Sequence, residues 1–176
     1  MSENTNKKTS NIKMKIRSLR YEVDESLFAR LAYEAELDSE TCEDGDDSTL
    51  EYNEEEAIEL STEGVMNIDG GRVELLYEES EITGMEGSRT SVIFELDSPG
   101  LISMIRNGTV STALVFEKGK RHHCVYNTPI MPFEICVRTI KVENDIIKSG
   151  RLRLDYVIEI RGAKAERTKF ELDIIA

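Results

Sequence analysis

The chain has no tryptophan, three prolines, three cysteines and two histidines. Each shortage narrows the range of functions. Zinc wants three or four converging nitrogen, sulfur or oxygen ligands, and neither a Cys-x-x-Cys nor a His-Glu-x-x-His spacing is present to supply them. A Gly-x-Ser-x-Gly elbow, a P-loop and a dinucleotide fingerprint are also missing. No apolar run approaches the ~18 residues of a membrane-spanning helix. The first ten residues are polar and lack the apolar core of a secretory signal. Cys42, Cys124 and Cys136 are an odd number of thiols, which fits reduced cysteines better than a disulfide framework. The expectation is a cytoplasmic protein with no membrane contact, no cofactor and no metal.

What is plentiful is acid, and it is concentrated. The net charge is −13 over 176 residues. Residues 22–63 hold seventeen acidic side chains and a single basic one, Arg30, so the remainder is close to neutral. A near-neutral body lacks the basic face that a nucleic-acid binder needs. Residues 39–55 are acidic and poor in apolar side chains, so a solvated insertion spanning about 22–56 is predicted. The alternative is a docking surface for a basic protein partner. Within it, residues 24–37 fit either a short helix capped by Asp24 or an extended hairpin.

From Gly64 onward the chain is one short strand after another, and ten of the eleven glycines lie there. Asp69-Gly70-Gly71 is a strong hairpin signal and Asn107-Gly108 the best two-residue one, because such turns need positive φ. Ser98-Pro99-Gly100 and Lys118-Gly119-Lys120 read as further turns. Residues 11–20 alternate, with Ile12, Met14 and Ile16 on one face. Residues 151–161 alternate most cleanly, placing Leu152, Leu154, Tyr156, Ile158 and Ile160 against Arg151, Arg153, Asp155 and Glu159. One wet face and one apolar face mark an antiparallel sheet. The prediction is a single all-β domain over 1–176, an antiparallel up-and-down barrel of about eight to ten strands whose closure removes exposed edges. Residues 1–10 are expected to be a flexible N-terminus, and no helix is expected beyond Gly64.

The motifs Tyr77-Glu78-Glu79-Ser80-Glu81-Ile82-Thr83-Gly84, Met104-Ile105-Arg106-Asn107-Gly108, Arg121-His122 and Tyr126-Asn127-Thr128-Pro129, in this order, resemble the YwiB-like proteins. These are bacterial proteins with a domain-of-unknown-function label and a calycin-like β-barrel. The resemblance implies the fold and no activity. Two departures stand out. The acidic segment looks like an insertion, and Ile130-Met131-Pro132 replaces an expected Tyr-Gly-like pair beside the predicted barrel mouth.

Several clusters invite chemistry. On one strand His122 and Cys124 share a face, and Cys136 on a following strand would complete a three-ligand metal set; buried thiols and a satisfied histidine are the ordinary account. Glu78 and Glu79 are strand neighbours and point to opposite faces, so they do not form a catalytic pair. Glu79 directed inward would require Arg106 or Arg121 as a partner, since buried carboxylates need one. Tyr77, Tyr126 and Tyr156 would line a cavity or pack the barrel rim. The expected ligand-binding residues are therefore Tyr77, Glu79, Arg106, Arg121, Tyr126 and Tyr156, in a barrel that binds a small molecule without catalysis. Oligomeric state is not encoded in any pattern found.

Overall fold

The computed structural model describes residues 7–23, 54–160 and 165–175. Ten antiparallel strands make one sheet: β1 Lys8–Val23, β2 Glu54–Asp69, β3 Arg72–Glu78, β4 Arg89–Glu95, β5 Ser98–Asn107, β6 Thr112–Glu117, β7 Arg121–Asn127, β8 Pro132–Asp145, β9 Arg151–Ile160 and β10 Ala165–Ile174. Their order is β6-β5-β4-β3-β2-β1-β10-β9-β8-β7. Every strand therefore lies beside its sequence neighbour, and the first strand pairs with the last. The exception is the seam between β6 and β7, the two ends of the sheet.

Hydrogen bonds span that seam at both ends. Ser111 and Asn127 exchange backbone bonds of 3.1 and 2.8 Å. At the opposite end, Thr139 of β8 bonds the β6–β7 turn through Gly119 and Lys120, and its Oγ1 accepts the Glu117 N–H at 3.3 Å. Thr139 can do this because β8 bulges between Thr139 and Lys141, which re-aims the strand where the sheet closes. The result is a nearly closed, calycin-like barrel.

The interior is packed unevenly. One half is filled by Met14, Val73, Leu75, Val92, Ile102, Met104, Leu114, Phe116, Leu152 and Leu172, all buried. Each contributes about 1.5–3 kcal/mol relative to exposure. A one-turn helix, α1 (Ile146–Ser149), joins β8 to β9 and adds Ile146 to this core. Gly150, at φ 73°, ends it in the left-handed conformation that glycine tolerates best. No helix was expected here; four residues are too few to show a helical period.

Local expectations were met unevenly. Gly70 and Gly71, at φ 56° and 94°, form the predicted two-residue hairpin turn. Asn107-Gly108 does not. The β5–β6 connection runs through four residues because it folds back on its neighbours: Val110 N–H donates to Ser88 Oγ, and Thr109 Oγ1 donates to the Glu86 carbonyl. Ser98-Pro99-Gly100 is not a turn either. Strand β5 already begins at Ser98, and the irregularity between Ile93 and Glu95 accommodates it. Residues 8–10, expected to be flexible, extend β1, where Lys8 pairs with Ile68. The helix-or-hairpin question for 24–37 and most of the acidic insertion lie outside the described residues. Among the described residues no helix is long and apolar enough to cross a membrane.

Gly64 marks a close approach between neighbouring strands. It sits in β2 between Ile12 and Tyr77, and an added Cβ would lie 2.5 Å from both the Leu76 carbonyl oxygen and Met14 Cε. Glycine inside a strand marks such an approach. Gly64→Ala is expected to destabilise the barrel by about 1–3 kcal/mol. Gly100→Ala, which meets nothing within 4 Å, should stay within about 0.5 kcal/mol. Denaturant unfolding of the two variants checks this, and equal effects would contradict the close approach.

Candidate functional site

At the end opposite α1 the barrel is hollow. A cavity of about 580 Å3 opens there among the ends of β1, β3, β5, β7 and β9 and the starts of β2, β8 and β10. Its walls are mainly apolar: Ile16, Ile58, Leu60, Val110, Ile135, Ile158 and Phe170 among them. A 3-10 turn, Glu81–Thr83, carries Thr83, Gly84 and Met85 over one side. The rim is apolar as well. Phe133 and Ile160 line the cavity yet remain exposed, and Ile130, next to them in the β7–β8 turn, is 91% exposed. Thr128 Oγ1 organises that turn by donating to the Met131 carbonyl at 2.8 Å and accepting the Ile130 and Met131 N–H groups.

The floor is polar, and strand alternation explains why. Val73, Leu75 and Tyr77 face inward along β3. The Glu79 N–H still bonds the Ser88 carbonyl at 2.9 Å, so the alternation continues one step past the strand and brings Glu79 inside. In the same way Ile102 and Met104 lead inward to Arg106. Thr90 stands opposite both Tyr77 and Arg106, so three adjacent strands present Tyr77, Thr90 and Arg106 in one row.

Within this row Glu79 Oε1 accepts from Thr90 Oγ1 at 2.5 Å and from Arg106 Nε at 3.4 Å. The Glu79 side chain is 2% exposed and that of Arg106 13%. Burial, and then the Glu79 charge, push the Tyr77 phenol far above its ordinary range; burial also raises Tyr156. Both rings keep their protons at neutral pH. For Arg106 burial opposes the charge, but Tyr77, Tyr156 and Glu79 together outweigh it and raise its pKa. The floor is thus a charged pair roofed by two neutral phenols. Nearer the mouth a second pair, Arg20 Nε to Glu166 Oε1 at 3.7 Å, crosses from β1 to β10.

Five of the six residues expected to bind a ligand, Tyr77, Glu79, Arg106, Tyr126 and Tyr156, line this one cavity. Arg121 does not. It lies opposite Arg138 on the outer face, and its Nη2 bonds Glu159 Oε2 at 2.7 Å. Cys136 is outside as well, because it pairs with His123, whereas Cys124 pairs with the inward Ile135. The imagined His122, Cys124 and Cys136 set is therefore split across the two faces of the sheet. Burial raises the Cys124 thiol pKa, which disfavours a thiolate there. Ser18, Arg20, Thr90, Glu166 and Thr168 were not anticipated as site residues. The signal was present: each is a polar residue continuing an apolar inward face. The acidic stretch considered for a basic partner falls, between Val23 and Glu54, outside the described residues.

Fold and interior define a calycin-like antiparallel barrel, filled at one end and hollow at the other. The chain belongs to the family described as Domain of unknown function (DUF1934), whose model matches residues 46–172. It is similar in structure to the ywiB protein from Bacillus subtilis. That crystal structure aligns with a TM-score of 0.59 over 94% of both chains at 16% identity, and so shows the shared fold. No curated protein matches the chain.

Arg106 and Glu79 should be energetically coupled. In a double-mutant cycle of Arg106→Met and Glu79→Gln, followed by denaturant unfolding, each single change leaves one charge behind and should cost more than the double change. The coupling expected is about 1–3 kcal/mol. Strictly additive effects would refute the pair.

Proposed function

We propose that this protein is a non-catalytic binding barrel that holds one small, predominantly apolar molecule in its hollow end. The observation that carries this reading is the cavity itself. It has about 580 Å3 of space, apolar walls, one open end and a few convergent polar groups at its base. Small-molecule sites are of this kind, typically about 300–1,000 Å3 with few polar anchors. A side-chain core filling the whole barrel would have argued for a purely structural domain; here the filling stops at the level of Phe116 and Tyr156, whose rings meet at 4.6 Å. The polar floor supports recognition more than reaction. Its carboxylate is already engaged by Thr90 and Arg106, and the Tyr77 and Tyr156 phenols hold their protons, so neither ring is poised to exchange a proton near neutral pH.

The neutral dye N-phenylnaphthylamine should bind saturably, at about one per chain, with increased fluorescence as its rings leave water. Ser18, on the cavity wall, offers a way to fill the space without touching the packed half. Ser18→Trp should abolish dye binding while thermal unfolding stays cooperative. Undiminished binding in that variant, or no saturable binding by the unmodified protein, would contradict the reading.

A further inference from the structure

Among the described residues the lining holds four side chains of charged type, two of each sign. Arg106 stands with Glu79 at the floor, and Arg20 stands with Glu166 nearer the mouth. The phenols of Tyr77 and Tyr156 add no charge while protonated. Among the described residues the lining of the hollow end therefore carries no net charge.

The floor pair is also left with unspent capacity. A guanidinium has five N–H donors. Arg106 directs Nε at Glu79 and Nη2 at Met104 Sδ, a weak acceptor at 3.5 Å. Its Nη1 has no acceptor among the described residues. Glu79 concentrates both of its bonds, from Thr90 and Arg106, on Oε1. Its Oε2 accepts none among the described residues. An unused donor and an unused acceptor thus belong to two side chains already joined to each other, at the base of an apolar cavity.

We infer that the ligand is uncharged overall and carries, at its inner end, one group that both donates and accepts a hydrogen bond, such as an amide, seated across Arg106 and Glu79. This rests on the ligand-binding reading above and narrows it to a class. A carboxylate would satisfy Arg106 but would bring a second negative charge beside Glu79 in a poorly hydrated space. An ammonium would satisfy Glu79 and crowd Arg106. Either leaves a net charge where water cannot compensate it. An amide places its carbonyl on Arg106 and its N–H on Glu79, uses both free positions and changes the net charge by nothing. The apolar remainder then extends toward the mouth between Ile58, Ile158 and Phe170.

The test is calorimetry with three probes that share one heptyl tail: octanamide, octanoate and heptylammonium. The unmodified protein should bind octanamide about tenfold or more tightly than either charged probe. Glu79→Gln removes one negative charge, and octanoate should then gain about tenfold relative to octanamide. The double variant Arg106→Met/Glu79→Gln leaves the net charge unchanged and removes the charged pair with its guanidinium donors. It should bind octanamide about tenfold more weakly than the unmodified protein does, and it covers the case in which Glu79→Gln alone does not fold. Equal binding of the three probes, tighter binding of octanoate or of the ammonium, or an octanamide affinity unchanged in the double variant would overturn the inference. The same holds if the dye binds and octanamide does not; each of these results leaves the hollow-barrel reading standing. If neither the dye nor any of the three probes binds, both fall together.

Discussion

An arginine placed inside a barrel keeps its charge, and the open half of this molecule is arranged around that constraint. Guanidinium does not deprotonate at accessible pH. Arg106 is carried inward by the same alternation that buries Ile102 and Met104, so the strand cannot turn it to solvent without exposing them. A neighbouring carboxylate is then required, and Glu79 supplies it from two strands away, with Thr90 between them holding the carboxylate in place. A half-satisfied charged network is worse than an apolar core. The space above the pair, with some of its hydrogen-bonding capacity unspent, is what turns a structural salt bridge into the base of a cavity.

The packed half makes this arrangement tolerable. Its buried aliphatic and aromatic side chains and the plug from α1 hold the strands at fixed register. The hollow end therefore depends little on its own contacts. The seam between β6 and β7 serves the same purpose. A sheet left open there would present two edges, whereas the Ser111–Asn127 bridge and the Thr139 staple span it at both ends. A sequence-local feature, the bulge at β8, thus has a barrel-wide consequence. Apolar residues at the rim, Ile130 and Phe133 in particular, are exposed where a molecule of low polarity would enter.

Much of the fold was readable from residue order because antiparallel strands with one buried face announce themselves by alternation. Leu152, Leu154 and Tyr156 in β9, and Phe170 and Leu172 in β10, are buried as their patterns require. The Arg106–Glu79 pair was readable for the same reason, since each residue continues an apolar face by one step. Arg121 was misplaced because β7 alternates weakly; only its register with β8 shows that Arg121 and Arg138 share the outer face. Asn107-Gly108 failed as a two-residue hairpin because tertiary bonds from Val110 and Thr109 outcompeted the local turn. The volume of the cavity was not readable at all. It depends on how strand curvature combines with small side chains such as Ser18 and Thr168 at positions where larger ones would fill the barrel.

The most direct measurement is a crystal structure of the protein grown with octanamide. The structure predicts density for one molecule in the hollow end, its carbonyl within hydrogen-bond distance of Arg106, its N–H on Glu79 and its tail directed at the Ile58 and Ile158 side of the mouth. A barrel whose hollow end is closed by inward side chains, or in which Arg106 leaves Glu79 and turns to bulk solvent, would contradict the account.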